Sequence, residues 1–273
     1  MFTVTDHETK NIIHTISQNF GINLSGMAMA SLRLRISQFC RNRHLQSTNN
    51  IISRMLDDPN FFESFMLGIS VGSPDMFRDP ELWITLRDQI LPDMVRKIKT
   101  PRIFIPGCVS GDELYSMAIL LKESGLDKQI QLTATCRNKP IRKQIEYGLL
   151  SKGRYRNCQD NYLLFHPGST LDKYLTVRDG RHFRKPGLLK QMKIKVQAED
   201  HLNVSVPTNL ILYRNRMIYF NSDTSRLVAN RMLDQLSAGT IFIIGIKESA
   251  KHLGLKDRID VVSSDLNIYL ITA

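Results

Sequence analysis

Residues 102–116 read RIFIPGCVSGDELYS, and the rest of the chain is arranged around this stretch. Ile103, Phe104 and Ile105 form a short apolar strand, Gly107 and Gly111 break it, and a helix opens on Asp112 and Glu113. A strand that turns at glycines into a helix brings backbone N–H groups to the carboxyl end of a sheet, where open α/β sheets bind ligands. Glycine has no Cβ to hold a ligand away from the backbone. The two carboxylates suit the positive end of the helix dipole, but they would repel a phosphate. The pattern points to a nucleoside or a cationic ligand and away from a nucleotide polyphosphate. Such a turn equally serves as a plain connection, and the motif by itself does not separate the two.

Outward from this turn, strands and helices alternate. Leu82, Trp83, Leu86 and Ile90 mark the inner face of a helix over 80–95, and Met117, Ala118, Leu120 and Leu121 that of the helix closed by Gly125. Ile130–Thr135 reads as a second strand, Lys139–Gly148 as a helix, and Ile194–Val196 and Asn209–Tyr213 as further strands. Val228, Met232 and Leu236 line a helix ending at Ala238-Gly239. Ile241–Ile246 is a wholly apolar strand, and Val261–Ile271 holds the last one or two. The alternation predicts an α/β fold, a parallel sheet with helices on both faces, and so apolar a strand agrees with burial on both sides. Between Leu171 and Leu189 the rhythm gives way to a small hairpin, Tyr174–Val177 and Arg181–Arg184, turning at Asp179-Gly180. The insertion reads as a docking site or as an idle excursion.

Residues 1–72 read as all-helical. Ile12, Ile13, Ile16 and Phe20 share one helical face that Gly21 ends, and Leu32, Ile36, Phe39 and Cys40 share another. Ile51, Ile52, Met55 and Leu56 make a third, with Thr48 or Asn49 as its cap and Asp58-Pro59 as its stop. Phe61, Phe62, Phe65, Met66 and Ile69 make a fourth, and Gly72-Ser73-Pro74 reads as a linker. Arg33, Arg35, Arg41 and Arg43 crowd the polar sides of the second helix. They either cover core edges with their long stems or dock an acidic partner.

The totals exclude several classes. Of 273 residues, 42% are hydrophobic and 23% charged, ordinary for a soluble globular chain. No apolar run has the length of a bilayer span, and MFTVTDHETK has no signal-peptide core, so a cytoplasmic protein is expected. Cys40, Cys108, Cys136 and Cys158 form no CxxC pair and the seven histidines no HExxH spacing, so neither a zinc site nor a disulfide framework is indicated. A net charge of +11 admits nucleic acid, an anionic membrane surface or an acidic protein as partner. The basic residues read as spread out, with no arginine-rich run, which favours a solvated basic surface over nucleic-acid binding.

Four segments, in order, carry a resemblance. GINLSGMAMASLRLRISQFCRN (21–42), MFRDPELW (76–83), GCVSGDELYS (107–116) and YRNRMIYFN (213–221) are together similar to the CheR-type chemoreceptor methyltransferases, over nearly the whole chain. The resemblance implies an N-terminal helical domain over 1–72 and a Rossmann-like methyltransferase domain over 73–273, with a hairpin subdomain inserted at about 171–189. It implies methyl transfer from S-adenosylmethionine to glutamate side chains of chemoreceptors or related signalling proteins with an acidic surface. It also implies site residues. Arg78 matches the arginine against the cofactor. Gly107, Ser110 and Glu113 match the glycine turn, Ser110 standing for the usual threonine and Glu113 meeting the methionine moiety. Arg214 and Asn215 match the Arg-Asn pair after the fourth strand. Arg33, Arg35, Arg41 and Arg43 match the basic helix used near the receptor.

The departures are as specific. The acid that pairs with the ribose hydroxyls falls on Cys136, a thiol in place of a strong charge-assisted acceptor. Pro74 replaces a threonine, Asn209 an aspartate, and Gln197-Ala198-Glu199-Asp200 the Asn-Leu near adenine. The hairpin is short where a longer one goes with docking a receptor tail peptide. Two functions remain open: an active glutamate O-methyltransferase, and a catalytically impaired CheR-like module serving as a protein-binding scaffold. A nucleic-acid methyltransferase is disfavoured, because the helical part lacks a nucleic-acid motif.

Overall fold

Apolar residues spaced three and four apart build the first helices, and alternation of strand and helix builds the rest. The computed structural model describes residues 3–20, 24–69, 75–150, 152–197, 204, 207–217 and 220–272. In chain order come α1 (Asp6–Phe20), α2 (Met29–Asn42), α3 (Thr48–Asp57), α4 (Pro59–Ile69), α5 (Pro80–Thr85), a π-helical turn Leu86–Ile90 and α6 (Leu91–Lys97). Then follow β1 (Arg102–Ile105), α7 (Asp112–Glu123), β2 (Gln131–Cys136), α8 (Lys139–Tyr147), β3 (Leu149–Leu150) and α9 (Lys152–Phe165). After a 3-10 turn Leu171–Tyr174 come β4 (Leu175–Arg178), β5 (Arg181–Arg184), a second such turn Pro186–Leu189 and β6 (Lys193–Val196). The chain closes with β7 (Leu210–Leu212), α10 (Ser222–Leu233), β8 (Ile241–Ile243), β9 (Ile259–Ser263) and β10 (Ile268–Ile271).

Two compact units result, Met1–Val71 with Arg216–Leu227, and Gly72–Asn215 with Val228–Ala273. In the first, Ile12, Ile16, Leu32, Ile36, Ile51, Met55 and Phe65 form one core. The Phe39 ring meets Phe61 and Phe65 edge-on, and a Cβ at Gly68 would fall 2.3 Å from that ring, so α4 needs a glycine there. Thr48 does not cap α3. Ser47 holds the cap position without a side-chain bond, and the Thr48 hydroxyl donates to Glu8 at 2.9 Å. Gly21 and Gly72-Ser73-Pro74 lie outside the described residues.

The second unit holds a seven-stranded sheet in the order β6-β2-β1-β7-β8-β10-β9. The first five strands run parallel. The expectation of a parallel sheet fails at its far edge, where β10 is antiparallel to both β8 and β9. Only residues 264–267 join β9 to β10, with Asn267 in the left-handed region at φ 51°. A parallel return needs a crossover of a dozen residues or more. β8 is also shorter than expected, and Ile246 beyond it is 44% exposed.

The hairpin at Asp179-Gly180 is present as β4–β5, and β3 joins it to make a three-stranded antiparallel sheet β3-β5-β4. The sequence reading passed over β3, two residues long, and α9, whose inward stripe is confined to Cys158, Tyr162 and Phe165.

One polar cluster pins α7 to α9 and the turn beyond. Glu123 accepts from Tyr162 at 2.6 Å and Tyr174 at 2.8 Å, and pairs with Lys173 at 2.6 Å and His166 at 3.1 Å. Burial raises the Glu123 carboxyl, but the bonds from Lys173, Tyr162, His166 and Tyr174 outweigh it and hold the group at about 2. The folded value lies below the ordinary carboxylate value, so this stabilisation is full above about pH 4.5 and is lost as pH falls toward 2. Glu123→Gln should lower Tm by roughly 3–6 °C at neutral pH. The deficit against wild type should narrow as the melting buffer is taken from about pH 5 to pH 2; a deficit constant with pH contradicts this role.

Candidate functional site

The site lies at the carboxyl ends of β1 and β7. At the end of β1 the chain turns through Gly107 (φ 68°) and Gly111 (φ 77°) into α7. Two expectations for this turn are corrected. Its first N–H groups are not bare: Gly107 donates to the Thr135 hydroxyl at 3.0 Å and Cys108 to the Thr135 carbonyl at 2.7 Å. The space a Cβ would fill at Gly111 is taken by Ile145 of α8, 2.8 Å away, so this glycine admits the protein's own helix. Local capping fixes that helix at both ends: the Asn138 side chain accepts from Ile141 N–H at 2.9 Å, and Gly148 closes α8 in the left-handed region.

The two carboxylates that open α7 have separate partners. Asp112 is wholly buried. It pairs with Arg184 of β5 at 3.0 Å and with Arg154 of α9, and the Ser110 hydroxyl donates to it. Arg184 is buried as well, its guanidinium 4.6 Å over the Tyr115 ring and bonded to the Gly148 and Leu149 carbonyls. Ser110 therefore turns its hydroxyl inward. Glu113 pairs instead with Arg214, just past β7, at 3.2 Å.

Arg214 gathers the rest of the site. Buried to 1% exposure, it also pairs with Asp79 and donates to the Arg78 carbonyl at 3.3 and 3.4 Å. Phe77 and Asp79 both sit in the left-handed region, at φ 53° and 57°. Backbone strain of this kind costs on the order of 1–3 kcal/mol per residue and persists only where the surroundings enforce it. Here Phe77 N–H donates to Ser116 at 2.9 Å, Met76 N–H to the Cys158 sulfur at 3.2 Å, and Trp83 Nε1 to the Arg78 carbonyl at 2.9 Å. Arg78 is thereby held half-buried, and among the described residues its guanidinium has neither a hydrogen bond nor an ion pair.

Asn215, at φ 54°, gives its N–H to Glu248 at 3.0 Å, and the same carboxylate oxygen accepts from Gly245 N–H at 2.6 Å. Its side-chain amide lies 2.6 Å from the position of a Cβ on Gly245, so that residue has to be glycine. Both amide atoms of Asn215 and the Arg214 Nε are buried with no hydrogen-bond partner among the described residues. Leaving such groups unpaired costs about 1–3 kcal/mol each.

Cys136 ends β2 wholly buried, with its sulfur 3.6 Å from the Asn138 carbonyl. Burial pushes its thiol up. Asn209 accepts from Arg102 N–H at 2.9 Å and so braces β7 against β1. Pro74 and Ala198 lie outside the described residues. The α2 arginines belong to the other unit. Arg33 pairs with Asp6, and Arg43 lies 5.4 Å over the Phe39 ring and bonds Ser64. Arg35 also has a partner, and Arg41 is half-buried. Among the described residues no cluster of His, Cys, Asp or Glu could hold a metal ion, all four cysteines are free and buried, and no helix is long and apolar enough to cross a membrane.

Residues 73–268 match the family model described as "CheR methyltransferase, SAM binding domain". The chain belongs to the CheR methyltransferase family. The "Putative methyltransferase Cher3" of Pseudomonas putida is 26% identical over 265 residues, covering 97% of each chain. The chemotaxis protein methyltransferase of Borreliella burgdorferi is 26% identical over 259 residues, 91% of this chain and 90% of its own. Chemotaxis protein methyltransferase 1 of Vibrio cholerae is 23% identical over 271 residues, 95% and 94% respectively. The cofactor of this CheR domain is S-adenosylmethionine. The residues present have the charges it needs: the Arg78 guanidinium, without a partner among the described residues, is complementary to its carboxylate, and Glu113 to its ammonium group. β2 ends in a buried thiol, Cys136.

Sequence reading missed Asp79, Arg154, Arg184 and Glu248. Asp79 stood inside a quoted segment. Arg184 carried one signal, a charged residue beside Phe183 at the inner end of a strand. Because one-sided removal of a buried ion pair costs about 3–5 kcal/mol, Arg184→Met should lower Tm by roughly 5 °C or more. Asp112→Asn in the same background should add much less than it does alone. Additive losses in the double-mutant melts contradict the coupling.

Proposed function

We propose that the chain transfers a methyl group from S-adenosylmethionine to the side-chain carboxylate of a glutamate on a signalling protein. What supports this reading is a set of groups around Arg214: among the described residues the Arg78 guanidinium has neither a hydrogen bond nor an ion pair, and Arg214 Nε and the Asn215 amide lack hydrogen-bond partners. The bound cofactor supplies an electrophilic methyl carbon on a sulfonium. The protein's part is to hold and to exclude water. Arg78 holds the amino-acid carboxylate, Glu113 the ammonium, with Arg214 fixing the carboxylate of Glu113 between them. The Asn215 amide is placed to bond a further polar edge. A glutamate carboxylate is already a nucleophile at neutral pH, so no strong base is required. Positioning and partial desolvation carry the rate.

The scaffold reading has one observation in its favour, the buried thiol of Cys136 where the resemblance places an acid. Lacking that acceptor, the site should bind the cofactor more weakly than one that has it, since charge-assisted hydrogen bonds contribute about 1.5–3 kcal/mol.

Calorimetric titration with S-adenosylhomocysteine decides between them: binding at micromolar concentration is expected, and no heat at millimolar concentration overturns the enzyme reading. Cys136→Asp places a carboxylate in a buried strand end. The variant should melt lower than wild type without ligand and gain more Tm than wild type on adding S-adenosylhomocysteine. An equal or smaller gain means that the ribose does not reach β2.

A further inference from the structure

The positive charge of this chain is not spread out. Residues 137–195 hold 15 of its 37 lysines and arginines but only 4 of its 26 aspartates and glutamates, while the remaining residues hold 22 of each. The net charge of +11 is therefore the charge of this one segment, and the expectation of an evenly basic surface is corrected.

The fold packs several elements of this segment against one another. α8 packs on β2, on β6 and on the Pro186–Leu189 turn. β3 follows α8 directly and pairs with β5, and β6 is the edge of the large sheet. α8 buries Ile141 and Ile145 and leaves its basic side outward. Part of the charge is neutralised internally: Arg154 and Arg184 on Asp112, Lys173 on Glu123, Arg142 on Glu146. The side chains of Arg137, Lys139, Lys143, Arg181, Lys190 and Lys193 are exposed and have no partner among the described residues. Among them stand Tyr147 and Leu149, 61% and 37% exposed. The Tyr147 ring is braced edge-on against Phe183 at 5.2 Å.

We infer that this α8–β6 face docks an acidic folded protein, the glutamate-bearing substrate of the proposed reaction; the inference rests on that reading for the partner's identity. Cations fixed on a helix and on strands match carboxylates fixed on a partner surface, and charge complementarity of this kind steers encounter and sets register. Tyr147 and Leu149, exposed between α8 and β5, supply apolar contact area of the kind a protein interface uses. The α2 arginines offer less, since Arg33 pairs with Asp6 and Arg43 lies on Phe39.

The test uses the full chain at about 0.15 M salt and a labelled helical peptide with glutamates at i, i+3, i+4 and i+7, followed by fluorescence anisotropy. Reversal of Lys139, Lys143, Lys190 and Lys193 to glutamate should weaken peptide binding at least about tenfold and flatten its salt dependence. The pair Lys139→Glu and Lys143→Glu alone should give part of that loss. Arg33→Glu with Arg41→Glu should change it less than about twofold. The inference is overturned if the α2 reversal causes the larger loss. It is overturned too if the wild type does not bind the peptide, or binds a DNA duplex or phosphatidylglycerol vesicles more tightly. Titration with S-adenosylhomocysteine runs in parallel. Wild type that binds peptide but no S-adenosylhomocysteine sinks the methyltransferase reading while upholding the surface. The reverse pattern sinks the surface alone.

Discussion

The guanidinium of Arg214 joins three parts of the chain that have no covalent reason to meet. It pairs with Glu113 at the start of α7 and with Asp79, and it bonds the carbonyl of Arg78 from the end of β7. An arginine this deeply buried is tolerated only with its partners in place, because taking a charge out of water costs several kcal/mol that ion pairs and hydrogen bonds have to offset. The planar, five-donor fork of arginine can satisfy several acceptors at once, which a lysine cannot. The arginine thus helps to hold the left-handed Asp79 in place, while the Arg78 side chain has no partner among the described residues.

A second buried pair works alongside it. Asp112, next in sequence to Glu113, is held by Arg184 of β5 and Arg154 of α9. The inserted three-stranded sheet is thereby locked onto the turn that carries Glu113. Whatever shifts β5 also moves the first turn of α7, since Arg184 bonds the Gly148 and Leu149 carbonyls as well. The two networks give the two acids that open α7 separate arginine partners. They explain how two adjacent acids are accommodated at one helix start without repelling each other.

Much of this fold was legible in the sequence for a local reason. The β1–turn–α7 unit follows from an apolar run, two glycines and an acidic helix start within fifteen residues, and α1 to α4 follow from apolar spacing. The reversal at β9–β10 was not legible, because strand direction depends on a link too short for a crossover and not on the strands' composition. Glu113 and Arg214 were each recognisable by resemblance, but their pairing across 101 residues was not. Spacing along the chain carries no record of which arginine reaches which acid. Gly111 shows the opposite failure: it was legible as a close approach, and the approaching group is Ile145. Cys136 was legible as a departure from the family's acid, yet its burial against Asn138 emerges only once β2 and α8 are packed.

The most direct test is an NMR titration of the arginine Nε–H resonances of Arg78 and Arg214 with S-adenosylhomocysteine. The two resonances should shift together and saturate at one ligand concentration, because Arg214 bonds the backbone of Arg78 and one ligand is proposed for both. If the ligand binds and neither resonance moves, the cofactor lies elsewhere and the site built around Arg214 is only structural.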